Sequence, residues 1–568
     1  MKTKIFLFSF ILSLATSMSA QDVSFDWAVG IGGTSEDHAY DMAIDDAGNV
    51  YITGSFKNTV DFDPGSGTQE FTSLGMLDIY ILKLDNAGNL LWAKQIGSDY
   101  DDQGLGIDVN ANGEVYVTGY FNHTADFDPG NGTVNLTAQA STDYFILKLD
   151  NNGDFVWVKQ MPGSQRERGV SLDIDAAGNV ITTGYIEGLT DFDPDTNNTY
   201  MIQSTGHYDI FIHKSDSDGN LIWAKTVRGY NGSTNGYPKG AALDDNGNVY
   251  VTGYFSGHNL DFDTSDNNEL LFSSGAYNDI FVMKLDANGD FAWAKQLIGS
   301  SDEKARDIDV DNSGLYFVGY FGGDIDLDPG SGTQNFTAQS SNEGFLEKMD
   351  LDGNFLWGKV FQPDNEIKLT TVYTTGNQVY TAGRFSYNYA VYDPAGENIN
   401  LNETTGKCFF MKTDTSGTFA WTYYTAGGNS SIIRRLITDD SDHIYMVGEF
   451  SGNRDFDPTN ADYMMSDNGW GDFFVEKISQ NNAAISNHIF SNISIYPNPA
   501  DEILYINTGR QNQMQLELYD MTGKKISGQK LNSGLQNLDI SQMDEGLYFI
   551  KLIFRNKEQV YKLLINKK

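Results

Sequence analysis

The chain has 568 residues and a formal net charge of −40, with 77 acidic side chains against 37 lysines and arginines. So acidic a surface repels nucleic acid and anionic membrane and excludes both as partners of the body. One cysteine, Cys408, excludes an intramolecular disulfide, and the length exceeds an ordinary single core, so stability has to come from repetition, packing or bound ions.

The first element in chain order is a secretory leader at 1–20. Lys2 and Lys4 precede the apolar run Ile5 to Leu14, and small residues follow up to Ala20, which predicts cleavage between Ala20 and Gln21. That run is too short to span a bilayer, and no later stretch reads as a transmembrane helix. No cysteine follows the leader to accept a lipid.

Residues 21–479 read as seven repeats of about 65 residues. A Tyr-x-(Thr/Val)-Gly-x-Phe pattern, or a close variant, recurs with its glycine at Gly54, Gly119, Gly184, Gly253, Gly319, Gly383 and Gly448. Each copy follows a turn such as Asp45-Asp46-Ala47-Gly48-Asn49 and precedes a second hairpin with turns such as Asp85-Asn86-Ala87-Gly88. Alternating apolar residues around Gly-bearing turns predict two β-hairpins, hence four strands, per repeat. Lys83, Lys148, Lys214, Lys284, Lys348, Lys412 and Lys477 share one position. Trp92, Trp157, Trp223, Trp293, Trp357 and Trp421 mark the fourth strand, which the seventh copy lacks. Phe25-Asp26-Trp27-Ala28 matches that strand, so the N-terminal segment is expected to complete the last repeat. A closed seven-bladed β-propeller follows, because an open array would leave capping and edge problems unsolved.

Between the two hairpins lies a loop with paired carboxylates: Asp61 and Asp63, Asp126 and Asp128, Asp191 and Asp193, Asp261 and Asp263, Asp326 and Asp328, Asp455 and Asp457. Two carboxylates at i and i+2 in a Gly-rich bend supply hard oxygen ligands suited to Ca²⁺. The same residues equally suit a turn in which Asp accepts backbone N–H bonds, Pro sets the bend and Phe packs inward. The sixth copy has Val391 before Tyr392-Asp393-Pro394 and so breaks any sevenfold calcium scheme.

This body, roughly residues 25 to 480, resembles the bacterial extracellular β-propeller repeats of surface proteins, a likeness that implies architecture and leaves activity open. The turns also invite comparison with the sialidase Asp-box, Ser-x-Asp-x-Gly-x-x-Trp. Here the order is Asp-x-x-Gly-x-x-x-Trp, as in Asp216 to Trp223, and the spacing does not match.

A polar linker at 480–491 leads to 492–568, where the charge changes sign: Gln21 to Ile485 carries a net −44, Ser486 to Lys568 a net +2. Ile495-Tyr496-Pro497-Asn498-Pro499-Ala500, Leu516-Glu517-Leu518-Tyr519-Asp520-Met521-Thr522-Gly523-Lys524, Gly546-Leu547-Tyr548-Phe549-Ile550-Lys551-Leu552 and the final Tyr561 to Lys568 alternate with period two and predict a small β-sandwich. In this order they resemble the type A C-terminal sorting domain of type IX secretion cargo in Bacteroidetes-type bacteria. The resemblance implies contact with the type IX machinery and export through the outer membrane. Removal by a sortase-like protease, then release or coupling to surface polysaccharide, is implied as well.

No zinc helix, nucleophile elbow or phosphate loop is present, and the seven histidines form no spaced pair. Features common to all repeats read as scaffold, so a binding site has to use what differs between them. The outliers are Arg166-Glu167-Arg168, Tyr230 to Tyr237, Arg384, Tyr387 to Tyr389 and Arg434-Arg435, which also serve as plain salt-bridge partners for nearby carboxylates. The expectation is a secreted or surface-attached binding or adhesion propeller for a glycan or protein, without a catalytic cofactor. The alternative is a carbohydrate-active hydrolase or lyase with carboxylates near the channel.

Overall fold

The computed structural model describes residues 22–175, 177–195, 197–229, 234–257, 259–264, 270–273, 277–363, 366–386, 389–392, 398–401, 407–427, 430–458, 462–481, 494–496, 500–501, 503–507, 514–521, 523–531, 535–554 and 557–567. The leader with its Ala20–Gln21 junction, the sixth Asp-Pro bend and most of the 480–491 segment lie outside the described residues. Every regular element described is a β-strand, the class that the composition predicts. No helix among the described residues is long and apolar enough to cross a membrane. The chain separates into two compact units, Val23–Ser479 and one containing Gln480–Lys568.

In the first unit the strands pair antiparallel in sets of four, first to second to third to fourth. Sheet 1 is His38–Ile44, Val50–Phe56, Asp78–Leu84 and Leu90–Ile96, and sheet 2 is Gln103–Val109, Val115–Phe121, Asp143–Leu149 and Phe155–Met161. Sheets 3 to 6 begin with Arg166–Ile174, Asn235–Leu243, Lys304–Asp311 and Glu366–Thr375. Sheet 7 joins Ser430–Thr438, Ile444–Ser451 and Asp472–Asn481 to the N-terminal strand Asp22–Ile31, which pairs with Asp472–Asn481.

Second and third strands are buried along most of their length, and Val50–Phe56 and Asp78–Leu84 along all of it. They read as continuous apolar runs because other sheets cover both of their faces. One core joins Ile79 and Ile81 of sheet 1 to Val117 and Phe145 of sheet 2, and another joins Ile52 and Tyr80 of sheet 1 to Val447 and Phe473 of sheet 7.

Four of the repeated Trp and Lys pairs staple one sheet to the next. Trp92 Nε1 and Lys83 Nζ both donate to the carbonyl of Asn151, in the second-hairpin turn of sheet 2, at 3.1 and 3.3 Å. Trp293 and Lys284 do the same to Leu351, and Trp357 and Lys348 to Thr415. Trp27 and Lys477 of sheet 7 reach Asn86 of sheet 1 at 3.0 and 3.4 Å. Six of the seven repeat lysines, all but Lys214, hold their ammonium over a second-strand tyrosine, 4.7 Å from the Tyr51 centroid in the case of Lys83. The turn glycines face these tryptophans: Gly88 has φ +81°, and a Cβ there would lie 2.9 Å from the Trp27 ring. Only glycine meets both demands.

In the second unit, Ser494–Tyr496, Ile503–Asn507 and Leu535–Asp539 form one sheet, and Lys525–Leu531, Met514–Tyr519, Gly546–Phe554 and Lys557–Ile565 another. Leu504 and Ile506 of the first share a core with Leu516, Ile550 and Leu563 of the second, the two-layer packing of a β-sandwich.

Candidate functional site

All seven first strands carry a bulge at one equivalent position, where register slips between Ala39 and Asp41, Gly104 and Gly106, Gly169 and Ser171, Pro238 and Gly240, Ala305 and Asp307, Leu369 and Thr371, and Ile433 and Arg435. A bulge leaves one residue out of the ladder and re-aims its side chain. The residues set free are Tyr40, Leu105, Val170, Lys239, Arg306, Thr370 and Arg434, and all seven line a single cavity of about 570 Å³. First strands touch in sequence from sheet 1 to sheet 7, and the sheet 7 strand touches that of sheet 1.

Below the bulges the wall is acidic, and its carboxylates clamp neighbouring strands. Asp41 accepts from Ile107 N at 3.0 Å, Asp108 from Ile174 N at 3.1 Å, Asp173 from Leu243 N at 3.1 Å and Asp309 from Thr374 N at 2.6 Å. Arg435 spans this layer, 3.0 Å from Asp307 and 3.6 Å from Asp41. Burial pushes Asp41 and Asp173 up to about 6 and Asp309 up to about 7.

The bulge layer is basic and aromatic by contrast. Arg168 lies with its guanidinium 3.9 Å from the Tyr120 centroid, Lys239 sits 5.5 Å over Tyr254, and Arg434 pairs with Glu449 at 3.1 Å. Tyr185, Tyr208, Tyr237 and Tyr254 follow one another at centroid distances of 4.8, 5.7 and 5.2 Å. Of the sequence outliers, Arg168, Arg434 and Arg435 line the cavity, while Arg166 points to the Tyr208 hydroxyl and Arg384 to Glu366. Glu167 is buried, its carboxyl pushed up to about 9 by burial and Asp143, and accepts from Thr190. Residues 230–233 and 387–388 lie outside the described residues. Sequence reading missed Lys239 and Arg306. Counting back from each repeat glycine aligns Lys239 with Arg434, fourteen residues before Gly253 and Gly448, but puts Arg306 one position off, thirteen before Gly319.

The paired aspartates sit apart from this cavity, in the bends of the small hairpins. Asp61 Oδ1 accepts from Asp63 N and Gln69 N at 3.0 and 2.8 Å, and Asp63 Oδ1 from Gly65 N at 2.8 Å. Asp126 and Asp128 repeat this toward Val134 and Gly130, and Asp326 and Asp328 toward Gln334 and Gly330. Asp191 and Asp193 serve Tyr200 and Asp195, Asp455 serves Asp457 and Tyr463, and Asp261 accepts from Asp263 N. Phe62, Phe127, Phe192, Phe262 and Phe456 between them are fully buried. Among the described residues no group of three or more His, Cys, Asp or Glu is arranged to hold a metal. Cys408 and His213 are buried, and burial pushes the imidazole down to about 3.

Residues 494–566 match the family of the secretion system C-terminal sorting domain. An uncharacterised WD repeat-containing protein of Acanthamoeba polyphaga mimivirus is 25% identical over 512 residues, 76% of this chain and 36% of that protein. Regulatory protein FlaEY of Caulobacter vibrioides is 25% identical over 373 residues, 63% of this chain and 37% of that protein. The chain thus spans about a third of the length of these curated relatives. Among solved structures it is similar to PorZ of Porphyromonas gingivalis, described as an essential bacterial surface component of the type IX secretion system. Identity there is 9%, coverage 95% of this chain and 100% of that one, and the TM-score of 0.16 is too low to carry an argument. The C-terminal unit is a type IX sorting domain, and it marks the protein for export to the cell surface or beyond.

Proposed function

We propose that the exported body is a closed seven-bladed β-propeller that binds an extracellular glycan or protein at the cavity formed by its first strands, without catalysing a reaction. The observation that carries the reading is the bulge layer: seven equivalent positions converge on one cavity yet hold Tyr, Leu, Val, Lys, Arg, Thr and Arg. A scaffold position would repeat, and this one does not. Closure is supported by the N-terminal strand in sheet 7 and by Trp27 and Lys477 stapling sheet 7 to sheet 1.

The test is binding of the labelled mature chain to arrays of extracellular glycans and proteins, beside a Leu105→Trp/Val170→Trp variant that fills the cavity. Binding that the filled variant loses at an unchanged melting temperature is expected. Binding that survives filling would remove the site from the cavity.

The hydrolase reading draws on Asp108 and Asp173. Burial and then the Asp173 charge push the Asp108 carboxyl well up, so neighbouring strands present a proton donor beside an acceptor. Both groups already hold backbone amides, which favours a clamp. Release of reducing sugar from a bound oligosaccharide, abolished in Asp108→Asn, would turn the assignment to hydrolysis.

For the Asp-Phe-Asp loops we propose a turn scaffold, with Ca²⁺ as the alternative. In support, five of the six first aspartates spend one oxygen on two backbone amides. A Cβ at Gly67, Gly132 or Gly332 would also fall 2.0 Å from the second carboxylate of its loop, which explains the glycine there. Thermal melts of the mature chain in excess EDTA and then in millimolar Ca²⁺ are expected to coincide. A saturable rise with Ca²⁺ would assign ions to these loops.

A further inference from the structure

The bulge layer of the cavity is basic within a strongly acidic body. Lys239 and Arg306 are half-buried bulge residues of adjacent sheets with no carboxylate partner among the described residues. Burial first, then the charges of Arg306, Lys304 and Arg434, pull the Lys239 ammonium down to about 7; Lys304 and Arg434 hold Asp302 and Glu449, so the uncompensated cations are Lys239 and Arg306. Arg306 faces Arg434 and Arg384 besides the rings of Tyr320 and Tyr254, and burial again disfavours its charge. Like charges gathered in a partly desolvated site destabilise the free protein, and an anion between them relieves that cost.

Two further features narrow the ligand. Of the half-buried run Tyr185, Tyr208, Tyr237 and Tyr254, Tyr185 lines the cavity and Tyr254 lies under Lys239, a surface with an apolar body and a polar edge that suits a sugar ring. The cavity of about 570 Å³ falls within the size of small-molecule sites, and the acidic exterior repels a long polyanion. On the binding reading above, we infer that this bulge layer is a site for a short acidic saccharide or the end of one, its carboxylate or sulfate lying between Lys239 and Arg306 and its ring against Tyr185 and Tyr254.

The experiment is calorimetric titration of the full mature chain in physiological salt with four probes: a galacturonic acid tetrasaccharide, a sulfated galactose tetrasaccharide, an uncharged galactose tetrasaccharide and tetraglutamate. Either or both acidic saccharides are expected to bind with the uncharged one at least tenfold weaker, and which of the two binds tells carboxylate from sulfate. A Lys239→Gln/Arg306→Gln variant is expected to lose at least tenfold in that affinity. The same variant should melt at a higher temperature than the parent without ligand, because the repulsion is gone. Arg306→Lys keeps the charge and should stay within threefold, which separates loss of charge from loss of fold. Equal binding of the uncharged sugar, or an affinity that the double variant leaves unchanged, overturns the anion site while the binding function stands. Preference for tetraglutamate overturns the saccharide class. Silence from all four probes, with glycan arrays still bound in a cavity-dependent way, overturns this inference alone, and silence in both experiments overturns the binding reading with it.

Discussion

A Glu347→Met variant is expected to be more stable than the parent by about 1–3 kcal/mol, with a larger gain at pH 8 than at pH 5. Glu347 occupies the third-strand position held elsewhere by Leu82, Leu147, His213, Met283, Met411 and Glu476. It is fully buried, and neither carboxylate oxygen has a hydrogen-bond partner among the described residues. Burial first, then the charges of Asp328 and Asp326, push its carboxyl well up, so the folded chain holds it protonated. A carboxyl whose folded pKa exceeds its unfolded one costs least below the unfolded value of about 4.3 and progressively more as pH rises toward the folded value. Methionine removes both the unsatisfied polar group and this pH slope with little change in volume. Denaturant unfolding at the two pH values checks it, and equal stability at pH 8 would mean that Glu347 finds a partner when folded. Glu476 makes the contrast. Its oxygens too have no hydrogen-bond partner among the described residues, and burial pushes its carboxyl up to about 8, but the charge of the fully buried Arg454 pulls the other way. Glu476→Met removes a carboxylate whose charge offsets that of Arg454, and it is therefore expected to gain less stability than Glu347→Met.

Removing residues 22–31 is expected to cost on the order of 5 kcal/mol and to lower the melting temperature of the body. The strand pairs with Asp472–Asn481 and buries Val23, Ala28 and Ile31, and it carries Trp27, whose indole holds the Asn86 turn. Without it Asp472–Asn481 becomes an open edge, a template for association. A synthetic Asp22–Ile31 peptide in excess is expected to restore the midpoint by strand addition. A truncated chain that melts with the intact one would show that sheet 7 is complete with three strands, and the closed-ring proposal would fall.

Much of the fold is legible because repetition amplifies weak signals. One Tyr-x-Thr-Gly run means little, but seven at near-constant spacing define strands, and the aligned Trp92 and Lys83 positions imply a common task. What that task is could not be read. Trp92 and Lys83 meet at a carbonyl of another repeat, 59 and 68 residues away in the chain. The two clearest chemical motifs in the sequence, the paired aspartates and the basic outliers, behave differently in the structure. The aspartates serve their own turns, a local matter that sequence could offer as one of two readings. The basic residues acquire significance only by convergence: Arg168 and Arg434 stand 266 positions apart yet line the same cavity as the unremarked Lys239 and Arg306.

The amino-acid order by itself determined the β class, the repeat number in the primary structure, the turn glycines, the shift from acidic body to near-neutral tail and the sorting signal, because each rests on local pattern or composition. The tertiary structure alone decided which residues share a wall. A bulge turns Lys239 and Arg306 off the ladder into the cavity, packing leaves Glu347 without a partner among the described residues, and the acidic layer is consumed by clamping adjacent strands. Those outcomes depend on backbone register and on contacts between sheets, and neither is encoded in the spacing of residues along one repeat.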